Sequence, residues 1–284
     1  MKSRQKEMSM SDYRMILKEM LSDLHSICME NHIRYFVAFG TLLGAIRHNG
    51  FIPWDDDIDI CMPREDYEKF CCLLNSKRYP YYMLTPEDNR FYYNCFSRFC
   101  SQKGTLRLKG IMDINQLGPF IDVFTLDRIT KDNHERQVYY HKIRKYTVLA
   151  RYALPFKYYK TLTFKRKIKA ILESPKIIKA KCVLGLDTVK RIRGELIQTY
   201  RETDSDLFYC PFDRPSDLLL VEEDEFNQLE LHQFEDLKVQ IPIGYDSILQ
   251  RRYGDYNELP PEEERRSHHH FTPYWSEDEL IRGN

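Results

Sequence analysis

Tyr13, Ile16, Leu17, Met20, Leu21, Leu24, Ile27 and Cys28 recur at helical spacing, and Ser9 with Asp12 just ahead of them has the form of a capping box. The chain is therefore predicted to open on an amphipathic helix. After Asn31 the period shortens to the aromatic and β-branched run YFVAF, which stops at Gly40 and gives way to TLLGAIRH, predicting strand, tight turn and helix. Pro53 breaks the next loop, DIDICM at 57–62 predicts a strand, and residues 64–76 return to helical spacing through Tyr67, Phe70, Cys71 and Leu74. Further strands are predicted at YYMLT, FYYNCFSRF and PFIDVFTL. Near the end, FEDLKVQIP reads as a strand, GYDSILQRRYG as a helix stopped by Gly254, and LPPEEERRSHHH as an extended tail.

Residues 131–205 are helical in composition and carry no strand-like alternation. This divides the chain into a core at 1–130, a basic helical insert at 131–205 and a C-terminal part at 206–284 packing back on the core. Within the insert, residues 157–181 hold nine Lys or Arg against the single acid Glu173, interleaved with aromatic and β-branched side chains. Such a stretch suits either a solvated helix face or peripheral contact with an anionic membrane. Elsewhere charge is balanced, 43 basic against 43 acidic residues, so no global field points to nucleic acid. The eight cysteines lack paired CxxC spacing, which argues for free thiols rather than structural zinc. No apolar run reaches spanning length and the opening MKSRQKEMSM lacks a signal-peptide core, so a cytoplasmic protein, at most at the inner face of the membrane, is expected.

The candidate chemistry lies in FGTLLGAIRHNGFIPWDDDIDI, where four carboxylates fall within five residues beside Trp54, Ile58 and Ile60. On a strand, Asp55, Asp57 and Asp59 would share one face. Carboxylates that close repel unless a cation sits among them, and hard oxygen donors suit Mg2+ or Mn2+. A calcium loop of the EF-hand type fails, because its sixth position would be Ile60 instead of glycine and its twelfth Asp66 instead of glutamate. Gly40 and Thr41 at a helix start offer amides and a hydroxyl to phosphate oxygens, and Arg47 and His48 stand one or two turns on. Asp122, flanked by Ile121 and Val123, is the natural third metal ligand, whereas Asp127 reads as a turn or cap residue before the next helix.

Three segments, GTLLGAIRHNGFIPWDDDIDI at 40–60, FIDVFTLD at 120–127 and RYGDYNELPPEEER at 252–265, resemble the LicD family of phosphotransferases. That resemblance implies an α+β nucleotidyltransferase-like fold, a mixed sheet flanked by helices with a helical insert. It also implies that Asp57, Asp59 and Asp122 are the metal-binding and catalytic carboxylates, with Gly40, Thr41, Arg47, His48 and Asp55 on the substrate side. The implied reaction is metal-dependent transfer of an alcohol phosphate, phosphocholine first among them, from a CDP-activated donor to a glycan or lipid-linked glycan, with release of CMP. Two alternatives stand beside it: a nucleotidyltransferase releasing pyrophosphate, and a non-catalytic module that binds metal and glycan.

Overall fold

A computed structural model describes residues 6–76, 79–87, 91–108, 117–154, 175, 178–212, 216–266 and 271–276. Helix α1 (Met10–Glu30) buries the eight residues named by its periodicity, and both halves of its capping box form between Ser9 and Asp12. Its apolar face lies in the largest core cluster with Val37, Ile60, Phe99, Ile121 and Val123 from the sheet.

The main sheet joins β1 (Phe36–Val37), β2 (Asp59–Pro63), β6 (Phe120–Arg128), β4 (Ser97–Ser101) and β3 (Tyr81–Leu84) in that spatial order. Strands β7 (Leu207–Tyr209) and β8 (Leu220–Glu222) continue it from the far end of β6. The architecture is mixed α+β: β2 and β6 run parallel, while β4 and β7 pair antiparallel with β6. Strand β6 is buried along all but its last residue, as a central strand covered on both faces must be. Helix α2 (Phe39–His48) and helix α3 (Arg64–Ser76) flank β2 in sequence and link it to the core.

Beyond the sheet, α4 (Asn133–Ala153) and α5 (Leu186–Ile197) pack together through Leu149, Ala150, Leu186 and Val189. Arg193 of α5 is fully buried and donates to the Tyr93 and Asn94 carbonyls, tying this helical pair to the loop before β4. The short α6 (Glu223–Phe226) leads to the hairpin β9 (Leu229–Phe234) and β10 (Leu237–Pro242), then α7 (Tyr245–Tyr253), capped by Gly254 at φ +68°. The basic stretch at 157–181 lies almost wholly outside the described residues, as do His268 to His270. Among the described residues no helix is long and apolar enough to cross a membrane.

Several expectations need correction. The YFVAF strand shrinks to Phe36–Val37, because α2 already begins at Phe39. FYYNCFSRF enters the sheet only from Ser97, and DIDICM only from Asp59, so Asp55 to Asp57 lie in a loop and strand alternation does not govern them. Asp127 is not a helix cap: it sits within β6, and the N-cap of α4 is Asp132, whose side chain accepts the Glu135 amide. Directly after the stretch 259–270 expected as an extended tail, an unforeseen strand β11 (Phe271–Trp275) pairs antiparallel with β5 (Gly104–Leu108) in a separate two-stranded sheet.

Candidate active site

The parallel register of β2 and β6 places Asp59 directly opposite Asp122, and the antiparallel register of β4 and β6 places Arg98 opposite Asp122 on the other side. One rung of the sheet thus reads Asp59, Asp122, Arg98, and residues aligned across strands project to the same face. Asp57, in the loop before β2, brings its carboxylate to the same place. Ligand oxygens of Asp57, Asp59 and Asp122 all lie within 4.8 Å of one another. Asp122 is buried and the other two are half-buried.

Each carboxylate is positioned by a partner. The Asp59 amide donates to Thr41 Oγ1 at 2.8 Å, and the Ala38 amide donates to the Asp59 carbonyl, so the start of α2 grips the start of β2. Asp122 Oδ1 accepts from Arg98 Nε at 2.8 Å. Arg98 lies over the Phe120 ring at 3.8 Å, a contact that suits a guanidinium poorly supplied with water. Burial works against the Arg98 charge, but Asp122, Tyr92 and Cys100 together outweigh it and the guanidinium pKa is raised. The Asp55 loop is held from α1 by Arg14, which donates to the Pro53 carbonyl at 2.9 Å and to the Asp55 carbonyl.

Electrostatically the cluster is under tension. Burial pushes the Asp59 carboxyl well above its ordinary value, and Asp57, Asp122 and Asp55 push it further, with Arg252 acting the other way. The buried Tyr13 hydroxyl of α1 is likewise raised, by burial first and then by Asp57, which places it beside the acids. A divalent cation relieves this repulsion, and an all-carboxylate donor set fits a hard ion such as Mg2+ or Mn2+. The residues present therefore fit the metal expected for this kind of site.

The remaining expected site residues divide. Gly40 lies against the acidic loop: a Cβ there would stand 2.7 Å from Asp55 Oδ2, so any larger residue must push that carboxylate aside. Phe39, at the head of α2, adopts φ +49°, a strained value for a bulky residue. The amides of Phe39, Gly40 and Thr41 belong to the first turn, where no intrahelical acceptor exists. Thr41 is buried and its hydroxyl accepts from Asp59, so it positions β2 from beneath the site. Arg47 donates to the Tyr256 and Glu258 carbonyls at 2.7 and 3.1 Å, holding the segment after α7. With Gly40, Trp54, Asp55, Tyr253 and Tyr256 it lines a cleft of about 470 Å³. His48 sits edge-on to Trp54 with ring centroids 6.4 Å apart, and burial followed by Arg47 lowers its pKa.

Sequence reasoning passed over Arg98, Tyr13 and Arg252. Tyr13 looked like an ordinary core position of α1. Arg98 did carry a signal: it is a lone cation within the aromatic run FYYNCFSRF, and the logic that singled out Asp122 among apolar neighbours applies equally to it.

Comparison with known proteins agrees with this geometry. Residues 32–167 match the family described as LicD/FKTN/FKRP, nucleotidyltransferase domain. The chain is similar to the lipopolysaccharide cholinephosphotransferase LicD of Haemophilus influenzae, 26% identical over 279 residues, covering 93% of this chain and 97% of that protein. An uncharacterized protein of Rickettsia typhi is 38% identical over 82 residues, 29% of this chain and 26% of its own length. One from Rickettsia prowazekii is 48% identical over 50 residues, 18% and 19% of the two chains.

Proposed function

Because this chain belongs to the LicD family of phosphotransferases, we propose that it transfers an alcohol phosphate, phosphocholine, from a CDP-activated donor to a hydroxyl of a glycan or lipid-linked glycan, releasing CMP. The observation that carries this is the convergence of the Asp57, Asp59 and Asp122 carboxylates within 4.8 Å on a rung shared with Arg98. The similarity to a lipopolysaccharide cholinephosphotransferase, extending over 93% of the chain, supports choline as the alcohol and a lipid-borne glycan as the acceptor.

In the reaction a bond forms between the acceptor oxygen and the transferred phosphorus, and the phosphorus–oxygen bond to CMP breaks. Asp57, Asp59 and Asp122 would hold Mg2+ or Mn2+, which when bound supplies positive charge to the donor diphosphate. The chain's own residues do the rest by placement. Thr41 fixes Asp59 through its amide, and Arg98 holds Asp122 through Oδ1. First-turn amides of α2 offer donors to phosphate oxygens. The proton of the acceptor hydroxyl passes to a carboxylate of the cluster. Arg47 holds the segment after α7, so that Tyr253 and Tyr256 wall the cleft opposite Gly40 and Asp55. An acceptor anchored in lipid would bring the enzyme to the inner membrane face, with the basic stretch at 157–181 as the contact.

The test is donor turnover with Mg2+ across CDP-choline, CDP-ethanolamine, CDP-glycerol, CDP-ribitol and CTP, in the presence of deacylated lipopolysaccharide. CMP release from CDP-choline, abolished in Asp57→Ala and Asp59→Ala, is the expected result. CMP from another donor would reassign the alcohol, and pyrophosphate from CTP would replace the proposal with nucleotidyl transfer.

A further inference from the structure

Arg251 and Arg252 are consecutive on the last turn of α7, and the fold uses them in opposite ways. Arg251 is fully committed: it donates to Glu225 Oε1 at 2.5 Å, to Glu225 Oε2 at 3.1 Å and to the Leu220 carbonyl at 2.8 Å. That clamp fixes α7 against β8 and α6. Arg252, by contrast, enters no ion pair among the described residues. Its guanidinium carbon lies 4.3 Å from the centroid of the Phe39 ring, and its Nε donates to the Tyr253 hydroxyl at 3.2 Å.

This location is informative because of what Phe39 does. It opens α2 at φ +49° and stands directly ahead of Gly40 and Thr41, whose first-turn amides have no acceptor within the helix. Gly40 in turn packs against the Asp55 carboxylate, so this end of α2 borders the acidic loop. A guanidinium stacked on a ring is already ordered, so little freedom is lost when its N–H fork takes an anion. Arg47, the arginine that sequence reasoning put in this role, has its Nη1 occupied by two backbone carbonyls.

We propose that Arg252 is the side chain that binds the diphosphate of the nucleotide-activated donor, gripping phosphate oxygens across the cleft from the α2 amides. This rests on the site being a phosphoryl-transfer centre, and it assigns to α7 a direct part in holding the substrate. The α7 segment then serves as one jaw: Arg251 anchors it and Arg252 touches the ligand.

Binding of inorganic pyrophosphate with Mg2+ present, measured by calorimetry on the full chain, tests this independently of which alcohol is transferred. Arg252→Ala should weaken pyrophosphate by about ten- to a hundredfold, the worth of a charge-assisted hydrogen-bond pair. Mg2+ affinity without phosphate should stay unchanged or tighten, and free guanidinium should restore part of the lost binding. Arg252→Lys, which keeps the charge and stem without the fork, should fold normally and recover only part of the affinity. Pyrophosphate affinity that is unchanged in both variants would overturn the proposal. So would a loss of Mg2+ affinity as large as the loss of pyrophosphate, since Arg252 would then act only on the carboxylates. If the wild-type chain turns over no CDP-alcohol yet loses pyrophosphate in Arg252→Ala, the proposed reaction falls and the role of Arg252 stands. Turnover with an unaltered KM in that variant gives the reverse.

Discussion

Asp122 and Asp127 lie on the same strand, both are buried, and each receives an arginine. At Asp127 the account closes: Arg64 donates to both carboxylate oxygens, at 2.7 and 2.5 Å, and the Thr125 hydroxyl adds a third contact at 3.3 Å. At Asp122 the Arg98 bond serves a carboxylate that is itself crowded, because Asp59 and Asp57 converge on the same spot. The cavity beside Asp127, about 600 Å³ and lined by Arg64, Arg128 and Arg201, is larger than the cleft beside the acidic cluster. Size is therefore a poor guide here. A buried carboxylate matched one to one by an arginine maintains structure, whereas several carboxylates converging on one point invite a cation and a charged substrate.

Asp59→Asn sets these two ends apart most strongly. Phosphotransfer should fall by about a thousandfold or more, since the metal's contribution to the transition state is worth several kcal/mol. The fold should survive, because removing one acid relieves repulsion; steady-state kinetics and circular dichroism check both halves. Next in size, Asp127→Asn should destabilise the chain by about 3 kcal/mol through the uncompensated Arg64, read by urea denaturation. Equal stability in the two variants would break the contrast.

The pH dependence of the metal-free chain sharpens it further. Folded Asp59 keeps its proton above the ordinary carboxyl value of 3.8, at a pH where the unfolded chain has released it. The stability it contributes is complete below that value and is lost as pH rises through its elevated folded pKa. Melting temperature without metal should thus fall on raising the pH above the ordinary range, and Mg2+ or Asp59→Asn should flatten the slope. A slope identical with and without Mg2+ would remove the repulsion from the account. The smallest effect is expected from Thr41→Val, which leaves the Asp59 amide without its acceptor and should cost about 1 kcal/mol, with phosphotransfer falling as Asp59 shifts. Parallel thermal melts and KM and kcat measurements would detect it.

Local pattern alone determined α1 down to its buried face and cap, the helix after β2, the central strand β6 and the hairpin strand β10, because each rests on short-range periodicity and capping. It also pointed to Asp57, Asp59 and Asp122 as a group, since charge in apolar company requires a partner wherever it lies. What only the tertiary structure decided is how that group meets. Strand alternation was the wrong reason for it: Asp57 arrives from a loop, and the parallel register of β2 with β6, between residues 63 positions apart, brings Asp59 to Asp122. The same long-range registry placed Arg98 on the rung, gave Asp127 to Arg64 instead of a helix end, and folded β11 onto β5. Pairing partners of strands are fixed by the packing of the whole core, and no local period along the chain encodes them.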